Sequence, residues 1–323
     1  MEHLGDPSRD VEMLPMPPSI ALDNLPQDVA LSGFVKSIIN RMNQKWTEDS
    51  EYFDMEDYKA ISTAYWEHFS HEVFTVELSE AETSALVDRS RKEKVTVNSA
   101  LATAIAGAQS FVEGEKPYHA KVVVAASLRD RIPNPGGEGM GYYAGDVELK
   151  FKYNQKKDLW ENARNFQKKF LPKYTNKTLF GNVLNWLYLD PTIFEAMNFK
   201  KLGGLVAPNS PRYKKLAAFS KKDDVVLRIL KRDKLETLER KHWGAAITNL
   251  GRLDFPKTYG ALELDRLIMQ PGGGIPLVNV NLVLGAVTCA GKLSLVIEYA
   301  EEAIDTATMK KIKEKAMAFL LEG

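Results

Sequence analysis

The sequence contains a single cysteine, Cys289, among 323 residues. One cysteine excludes both a disulfide framework and a thiolate metal cluster, and it favours a reducing compartment such as the cytoplasm. No run of 18 or more apolar residues occurs, so the sequence has no candidate transmembrane helix. The first 20 residues carry several acidic side chains and no apolar stretch, so we expect no secretory signal there.

Histidines are few, and none has the spacing of a metal site. The five are His3, His68, His71, His119 and His242. His68 and His71 can share a helix face, but no carboxylate-rich set with ligand spacing accompanies them. We therefore predict no metal site, and we expect His119 and His242 to be structural.

Several signatures of other activities are also missing. The sequence has no Gly-x-Ser-x-Gly nucleophile elbow. Its glycine-rich segments, 135–141 and 271–276, lack the strand and helix context of a nucleotide-binding loop, and we interpret both as turns or gating loops. The basic segments lack interleaved aromatic residues, so nucleic-acid binding is not predicted.

What the chain has is the composition of an ordinary globular protein. Hydrophobic residues make up 44% and charged residues 27%, and the mass is 36.3 kDa. A chain of this length corresponds to about two domains of roughly 150 residues. It is long enough to bury a large core without disulfides or a metal.

Charge is balanced overall but unevenly placed. Residues 1–88 contain 5 basic and 18 acidic side chains, whereas residues 150–241 contain 22 basic and 9 acidic ones. The two segments are complementary and could attract each other, or the basic one could bind an anionic ligand. The alternative is that both are solvated faces.

The chain divides near residue 70. Residues 1–70 are predicted to be a connector, because five prolines within 20 residues disfavour helix there and only 29–42 shows helical spacing. From His71 onward, strand patterns alternate with helical ones. Capping residues predict helix starts after Ser79, Thr96, Asp158 and Asp305.

The strands are predicted from apolar alternation and apolar runs. They are expected at 72–78, 120–128, 145–151, 245–250, 261–268, 277–289 and 293–299, and the last two form a hairpin. Strand 120–128 is a continuous apolar run, which predicts burial on both faces. The order of strands and helices indicates a mixed α/β sandwich.

Four segments, taken in order, resemble the condensation-domain and chloramphenicol-acetyltransferase-like superfamily. They are VFTVELSEAETSALVDRSRKEKVTVNSALATAIAGA, VVVAASLRDRI with GMGYYAGDVEL, AAITNLGRLDFPKTYGALEL, and GAVTCAGKLSLVIEYAEE. The branch that they most resemble contains alcohol acetyltransferases and polyketide-associated O-acyltransferases. The resemblance covers 71–323 and implies a chloramphenicol-acetyltransferase-like mixed-sheet sandwich, one complete C-lobe preceded by the remainder of an N-lobe.

The resemblance implies transfer of an acyl group from a thioester, with acyl-CoA as the suspected co-substrate, to a small alcohol. In that family the catalytic base is a histidine of an HHxxxDG motif in the N-lobe, and this sequence has no such motif. Three explanations stay open. The chain is a fragment lacking its N-terminal lobe, it is a shortened relative that acts as a non-catalytic binding or partner module, or His68 or His71 serves as the base.

The resemblance also suggests site residues. Thr248 and Asn249 are expected to face the tunnel and contact the reacting carbonyl, where a donor would stabilise the oxyanion. The alternative for Asn249 is a turn with Gly251.

Other residues matched by the resemblance have structural or donor-binding roles. Arg129, Gly141 and Gly251 are expected to be structural. Lys214, Lys215, Lys221 and Lys222 are candidates for binding the phosphates of coenzyme A, and surface lysines without a ligand are the alternative.

Overall fold

The computed structural model describes residues 8, 19–132, 141–272 and 279–322. Within these ranges the strands are β1 His71–Glu77, β2 Lys121–Ser127, β3 Ala144–Lys150, β4 Trp243–Leu253, β5 Thr258–Tyr259, β6 Leu262–Glu263, β7 Val280–Cys289 and β8 Lys292–Ala300. The helices are α1 Gly33–Asp49, α2 Met55–His68, α3 Glu80–Lys92, α4 Val97–Glu113, α5 Leu159–Phe170, α6 Asn176–Leu179, α7 Gly181–Tyr188, α8 Pro191–Leu202, α9 Tyr213–Lys221, α10 Val225–Asp233 and α11 Thr306–Leu321.

Six strands form one mixed sheet in the order β1-β8-β7-β4-β2-β3. Strand β4 is parallel to both of its neighbours, β7 and β2, and the other pairs are antiparallel. Parallel neighbours need a crossover connection, and helices supply it. The mixed α/β sandwich predicted from the sequence is confirmed.

One face of the sheet packs on helices α3, α4, α5 and α11, and we call the apolar cluster between them the sheet core. Leu86, Ile105, Trp160 and Ile312 come from the four helices, and each is at most 2% exposed. Helix α4 is buried almost all round from Ser99 to Ser110. Its alanines allow this, because small side chains let the helix approach its neighbours closely on every side.

The helix starts predicted from capping residues are confirmed. Ser79 accepts from the backbone N–H of Glu82 at 3.2 Å, and the Glu82 carboxylate accepts from the backbone N–H of Ser79 at 2.8 Å. Asp305 accepts from the backbone N–H of Thr308 at 2.9 Å. These bonds satisfy amide groups that lack a partner within the helix.

The predicted hairpin is also confirmed. Strands β7 and β8 pair antiparallel around Ala290 and Gly291, whose φ angles are 50° and 81°. Two successive left-handed residues make a type I′ turn, whose twist matches that of the flanking strands.

A second region, which we call the helical layer, consists of α1, α2, α8, α9 and α10. Its interior is aromatic: Phe53 stacks on Phe199 with ring centroids 3.7 Å apart, and Trp46 meets Phe219 edge-on. Helix α2 lies in the segment that the sequence predicted to be a connector. Its start is capped by Asp54 and Asp57, a signal that the proline-rich surroundings obscured. The domain boundary near residue 70 stays a prediction.

Two strand predictions were wrong in detail. Only Leu262–Glu263 of the predicted strand 261–268 forms a strand, and it pairs with β5 rather than with the main sheet. Its residues are exposed, so burial does not support a longer strand. Strand β2 has fully buried side chains on one face only: Val122 and Val124 are buried, whereas Val123 and Ala125 on the other face are half-buried. Much of both glycine-rich segments, 133–140 and 273–278, lies outside the described residues.

Among the described residues, no single helix is long and apolar enough to cross a membrane, although α3 and α4 pass that test together as a pair bent by 97°. Over the same ranges no group of three or more His, Cys, Asp or Glu side chains could hold a metal ion. The thiol of Cys289 is buried in β7.

Candidate functional site

The face of the sheet opposite the sheet core carries small side chains at its centre. Cross-strand pairing places Asp146, Ala125, Thr248 and Gly285 in one row from β3 to β7. The next row contains Val123 and Ala246. We call the half-buried residues Val123, Ala125, Ala246 and Thr248 the trough. Since neighbouring strands are about 4.8 Å apart, the backbones of Asp146 and Thr248 are separated by about 10 Å.

Thr248 and Asn249 lie where the sequence analysis expected a site, but they differ in availability. Thr248 is half-buried and its side chain is on the trough side of β4. Asn249 is engaged locally, because its Oδ1 accepts from the backbone N–H of Gly251 at 2.8 Å. Gly251 has a φ of +74°, and the pairing of β4 with β7 is irregular between Asn249 and Arg252. Asn249 and Gly251 therefore lie in a bulge within β4 and not in a turn after the strand. The role of Asn249 at the reacting carbonyl stays a prediction.

Two carboxyl groups border the trough at the edge strand β3. Burial raises the pKa of Asp146, and hydrogen bonding from Asn182 opposes that rise. Burial also raises the pKa of Glu148, and the charge of Asp146 adds to it. The side-chain period of two residues places both on the same face. The carboxyl groups of Asp146 and Glu148 therefore favour a neutral or hydrogen-bond-donating ligand group beside them over an anionic one.

A cavity of about 720 Å³ lies next to this edge of the sheet. Its walls come from α1, α7, α8 and α10 and are mainly apolar, with polar atoms from Tyr142, Asn182 and Asn185 and from the ion pair of Arg232 with Asp233. The lining includes Val35, Ile38, Met42, Trp186, Phe194, Met197, Ile229 and Leu235. Asn182 donates from Nδ2 to Oδ2 of Asp146 at 2.7 Å, so the rim of the cavity meets the edge of the trough at this pair. An apolar cavity of this size with a few polar groups is typical of small-molecule sites.

His71, one of the two expected outside candidates for a base, is buried in a polar cluster away from this cavity. The guanidinium of Arg240 donates to the hydroxyl of Tyr65 at 2.8 Å, and that hydroxyl donates to Nε2 of His71 at 2.7 Å. Nδ1 of His71 lies 3.7 Å from Oε1 of Glu298. Burial, with Arg240, lowers the pKa of His71, and Glu298 opposes it. The lowered pKa favours the neutral imidazole, which is the form that a base needs. The His71 side chain is only 8% exposed, however, so a substrate has little access to it.

The same cluster is covered by the segment that follows β6. Oε2 of Glu298 accepts from Nε2 of Gln270 and from the backbone N–H of Gly272, both at 3.2 Å. A Cβ on Gly285 would lie 2.7 Å from the carbonyl oxygen of Met269, so only glycine permits this close approach. His68 is exposed on α2, and its Nδ1 contacts the carbonyl oxygen of Ala64 at 2.7 Å. The structure brings neither histidine to the trough.

The four lysines suggested for coenzyme A are divided between two situations. Lys215 contacts Asp57 at 2.6 Å, and Lys222 contacts Asp49 at 2.6 Å. Lys214 and Lys221 are exposed. Two of the four thus join the basic segment to the acidic one, and phosphate binding by the set stays a prediction.

Arg129 and Gly141 lie at the far end of β2 and β3. The guanidinium of Arg129 is 4.4 Å from the centroid of the Tyr143 ring. A Cβ on Gly141 would be 2.5 Å from the same ring. Both residues therefore pack around Tyr143, and the structural role that we expected for them stays a prediction.

Neither a protein-family model nor a curated protein matches this sequence. Solved structures do match it. The epimerization domain from the third module of tyrocidine synthetase B has 12% identity over 90% of this chain, with a TM-score of 0.48. A trichothecene 15-O-acetyltransferase from Fusarium sporotrichioides has 13% identity over 93% and a TM-score of 0.47. Polyketide synthase associated protein 5 from Mycobacterium tuberculosis has 15% identity over 78% and a TM-score of 0.42.

These neighbours include an acetyltransferase and a synthetase domain. The chain covers 55% of the first two structures and 52% of the third, so it spans about half of their length. At these identities and TM-scores the similarity concerns the fold alone. The roles of site residues rest on the geometry of this chain.

The sequence analysis missed Asp146, Asn182 and the cavity. Asp146 follows Gly145 in an alternating strand, and its position opposite Ala125 was available only from strand register. Asn182 comes from a helix 36 residues further along the chain. Small residues in β2 and β4 were a signal for a trough, but alone they are equally typical of close packing.

Proposed function

We propose that this protein takes part in O-acyl transfer from a thioester, with acyl-CoA as the donor, to the hydroxyl of a small apolar alcohol. The observation that carries the proposal is the cavity of about 720 Å³, whose mainly apolar wall opens at the Asp146–Asn182 pair beside the trough. Such a wall would hold an alkyl group, and the polar rim would orient the reacting end. The four ordered segments that resemble acyltransferases support the same reaction class.

Thr248 is the group that we assign to the reacting carbonyl. Its side chain is on the exposed side of β4, and Ala125 and Ala246 leave space around it. A hydroxyl that donates to the developing oxyanion contributes most when its surroundings are already in place. A base would still be needed for the alcohol, and His71 is sealed from the trough. We therefore expect this chain to need a base from another lobe or a partner chain for full activity.

Ester formation tests the proposal. The purified protein is incubated with octanoyl-CoA and octan-1-ol, and both the released thiol and the octyl ester are measured. We expect ester above the uncatalysed level, and a loss of about 100-fold or more in Thr248→Val if Thr248 stabilises the oxyanion. Thr75→Val is the matched control, because Thr75 lies in the same row of the same face but at the far edge strand β1.

The outcomes separate two classes of protein. Ester formation with an unchanged rate in Thr248→Val would reject the role of Thr248 but keep the reaction. Binding of octan-1-ol without thiol release or ester, even beside candidate partner chains, would instead support a non-catalytic binding module.

A further inference from the structure

The cavity rim has a fixed hydrogen-bonding polarity. Asn182 is the second residue of α7 and lines the cavity, and its Nδ2 donates to Oδ2 of Asp146 at 2.7 Å. An ionised carboxylate only accepts hydrogen bonds, so the amide must turn its NH₂ group toward Asp146. The carbonyl oxygen Oδ1 of Asn182 is then directed away from Asp146.

We infer that Asp146, by orienting the amide of Asn182, makes the cavity select ligands whose polar end donates a hydrogen bond. The inference deepens the proposed function and rests on it. It assigns the cavity to the alcohol rather than to the acyl donor, because a hydroxyl can donate to Oδ1 of Asn182 and a thioester carbonyl cannot. Asp146 is here a positioning residue that acts through Asn182.

Of the other polar groups that line the cavity, Arg232 and Asp233 are paired with each other at 2.8 Å, and Tyr142 and Asn185 do not make this distinction. The hydroxyl of Tyr142 both donates and accepts, so it serves an alcohol and an ether alike. Burial raises the pKa of Tyr142, with the charge of Asp146 adding to it, and the phenol stays protonated. Asn185 also lines the cavity three residues further along α7, and its amide carries both a donor and an acceptor.

The apolar wall restricts what can be attached to that donor group. Val35, Ile38 and Met42 from α1 face Phe194 and Met197 from α8 across the cavity. A bulky charged group would lose its hydration against these side chains, and the two charged residues of the lining, Arg232 and Asp233, are already paired with each other. The ligand class is therefore an alkyl or arylalkyl chain that ends in a hydroxyl.

A pair of isomers tests the inference directly. Octan-1-ol and 1-methoxyheptane have the same atoms, but only the alcohol can donate a hydrogen bond. Their dissociation constants are measured by isothermal titration calorimetry at pH 8, well above the usual range of a carboxyl pKa, because burial raises the pKa of Asp146. Tyr142, Glu148 and the ion pair of Arg232 with Asp233 are the titratable groups on that side. For the wild-type protein we expect the alcohol to bind about five- to tenfold more tightly, the effect of one net hydrogen bond.

Three variants locate the origin of that preference. Asp146→Asn can donate to Oδ1 of Asn182, which frees the amide from a single orientation, and the ratio should fall below about twofold. Asn182→Leu keeps the apolar wall and should also abolish the preference. Thr75→Val, at the far edge strand β1, does not alter the cavity and should leave the ratio unchanged. Thermal unfolding of each variant checks that it is folded.

Equal binding of the two isomers to the wild-type protein would overturn the inference, as would a preference that survives in Asp146→Asn. Failure of both isomers to bind while ester formation continues would overturn it as well, since the alcohol would then bind elsewhere. That result would leave the proposed function standing. Conversely, selective alcohol binding without any thiol release, even beside candidate partner chains, would support the inference and reject the proposed catalysis.

Discussion

The sheet core and the helical layer are both well buried, but different interactions hold them together. The sheet core is almost entirely apolar, with side chains such as Leu101 and Leu295 that have no measurable exposure. The helical layer buries charges: Lys200 and Asp224 pair at 2.6 Å with side chains 1% and 3% exposed. Burial of apolar area is non-directional, whereas a buried ion pair requires defined partners.

The charged contacts of the helical layer join the acidic and basic segments of the sequence. Asp57 has a fully buried side chain and contacts Lys215 at 2.6 Å and Arg212 at 3.5 Å. Asp49 contacts Lys222 at 2.6 Å. At these positions the acidic segment 1–88 and the basic segment 150–241 attract each other through ion pairs, which was one of the alternatives left open by the sequence.

The largest effect should come from breaking the buried pair. Lys200→Met leaves the carboxylate of Asp224 without its cation, and the free energy of unfolding should fall by about 3–5 kcal/mol. Urea unfolding measures this. In the double variant Lys200→Met/Asp224→Asn much of the loss should be recovered, since no buried charge is then left alone and the side chain can still accept from the backbone N–H of Leu227 at the start of α10.

The exposed ion pair between Lys222 and Asp49 provides the contrast. Lys222→Met removes an ion pair whose carboxylate, that of Asp49, is 60% exposed. Its cost should be about 0–1 kcal/mol. If Lys200→Met and Lys222→Met lower the free energy of unfolding by the same amount, burial does not determine the strength of the charged contacts in this layer.

The sheet core should respond to lost volume rather than lost charge. Leu101→Ala removes buried methyl groups from α4 while keeping a strong helix former, and it should lower the free energy of unfolding by about 3 kcal/mol. Phe111→Ala on the same helix, at a side chain that is 52% exposed, should cost clearly less. Equal costs would mean that helix propensity rather than packing dominates here.

A pH-dependent effect should appear at the junction between the two regions, where His71 of the sheet meets Tyr65 of the helical layer. Because burial lowers the pKa of His71 in the folded state, the unfolded chain binds more protons as the pH falls below about 6.5. Stability should therefore decrease between pH 6.5 and 5, with a slope of at most about 1.4 kcal/mol per pH unit from this group.

His71→Gln should flatten that part of the stability profile, and His68→Gln should not, because His68 is exposed on α2. Thermal unfolding at several pH values in this range measures both variants. An unchanged slope in His71→Gln would assign the acid sensitivity to other groups, and the junction would then not depend on a neutral histidine.

Local patterns were sufficient for the elements of the sheet core. Ser79 with Glu82 marked the start of α3, and Ala290 with Gly291 marked the hairpin turn, since both depend on residues close in sequence. Helix α2 was missed because its stability comes from packing on α8 and α9 more than from its own pattern. The strand predicted at 261–268 was too long, because its residues are exposed or only half-buried and tertiary packing therefore does not stabilise a longer strand there.

The sequence by itself determined the mixed α/β class, the helix caps, the hairpin and the complementary charges of two segments. Only the tertiary structure decided that Lys200 meets Asp224 in the interior, that His71 is sealed under Gln270, and that Asp146 and Thr248 share a row across the sheet. Caps and turns are made by neighbours a few residues apart, so composition and spacing reveal them. Register and burial depend on residues up to more than 200 positions apart, as His71 and Glu298 are, and no local pattern encodes that distance.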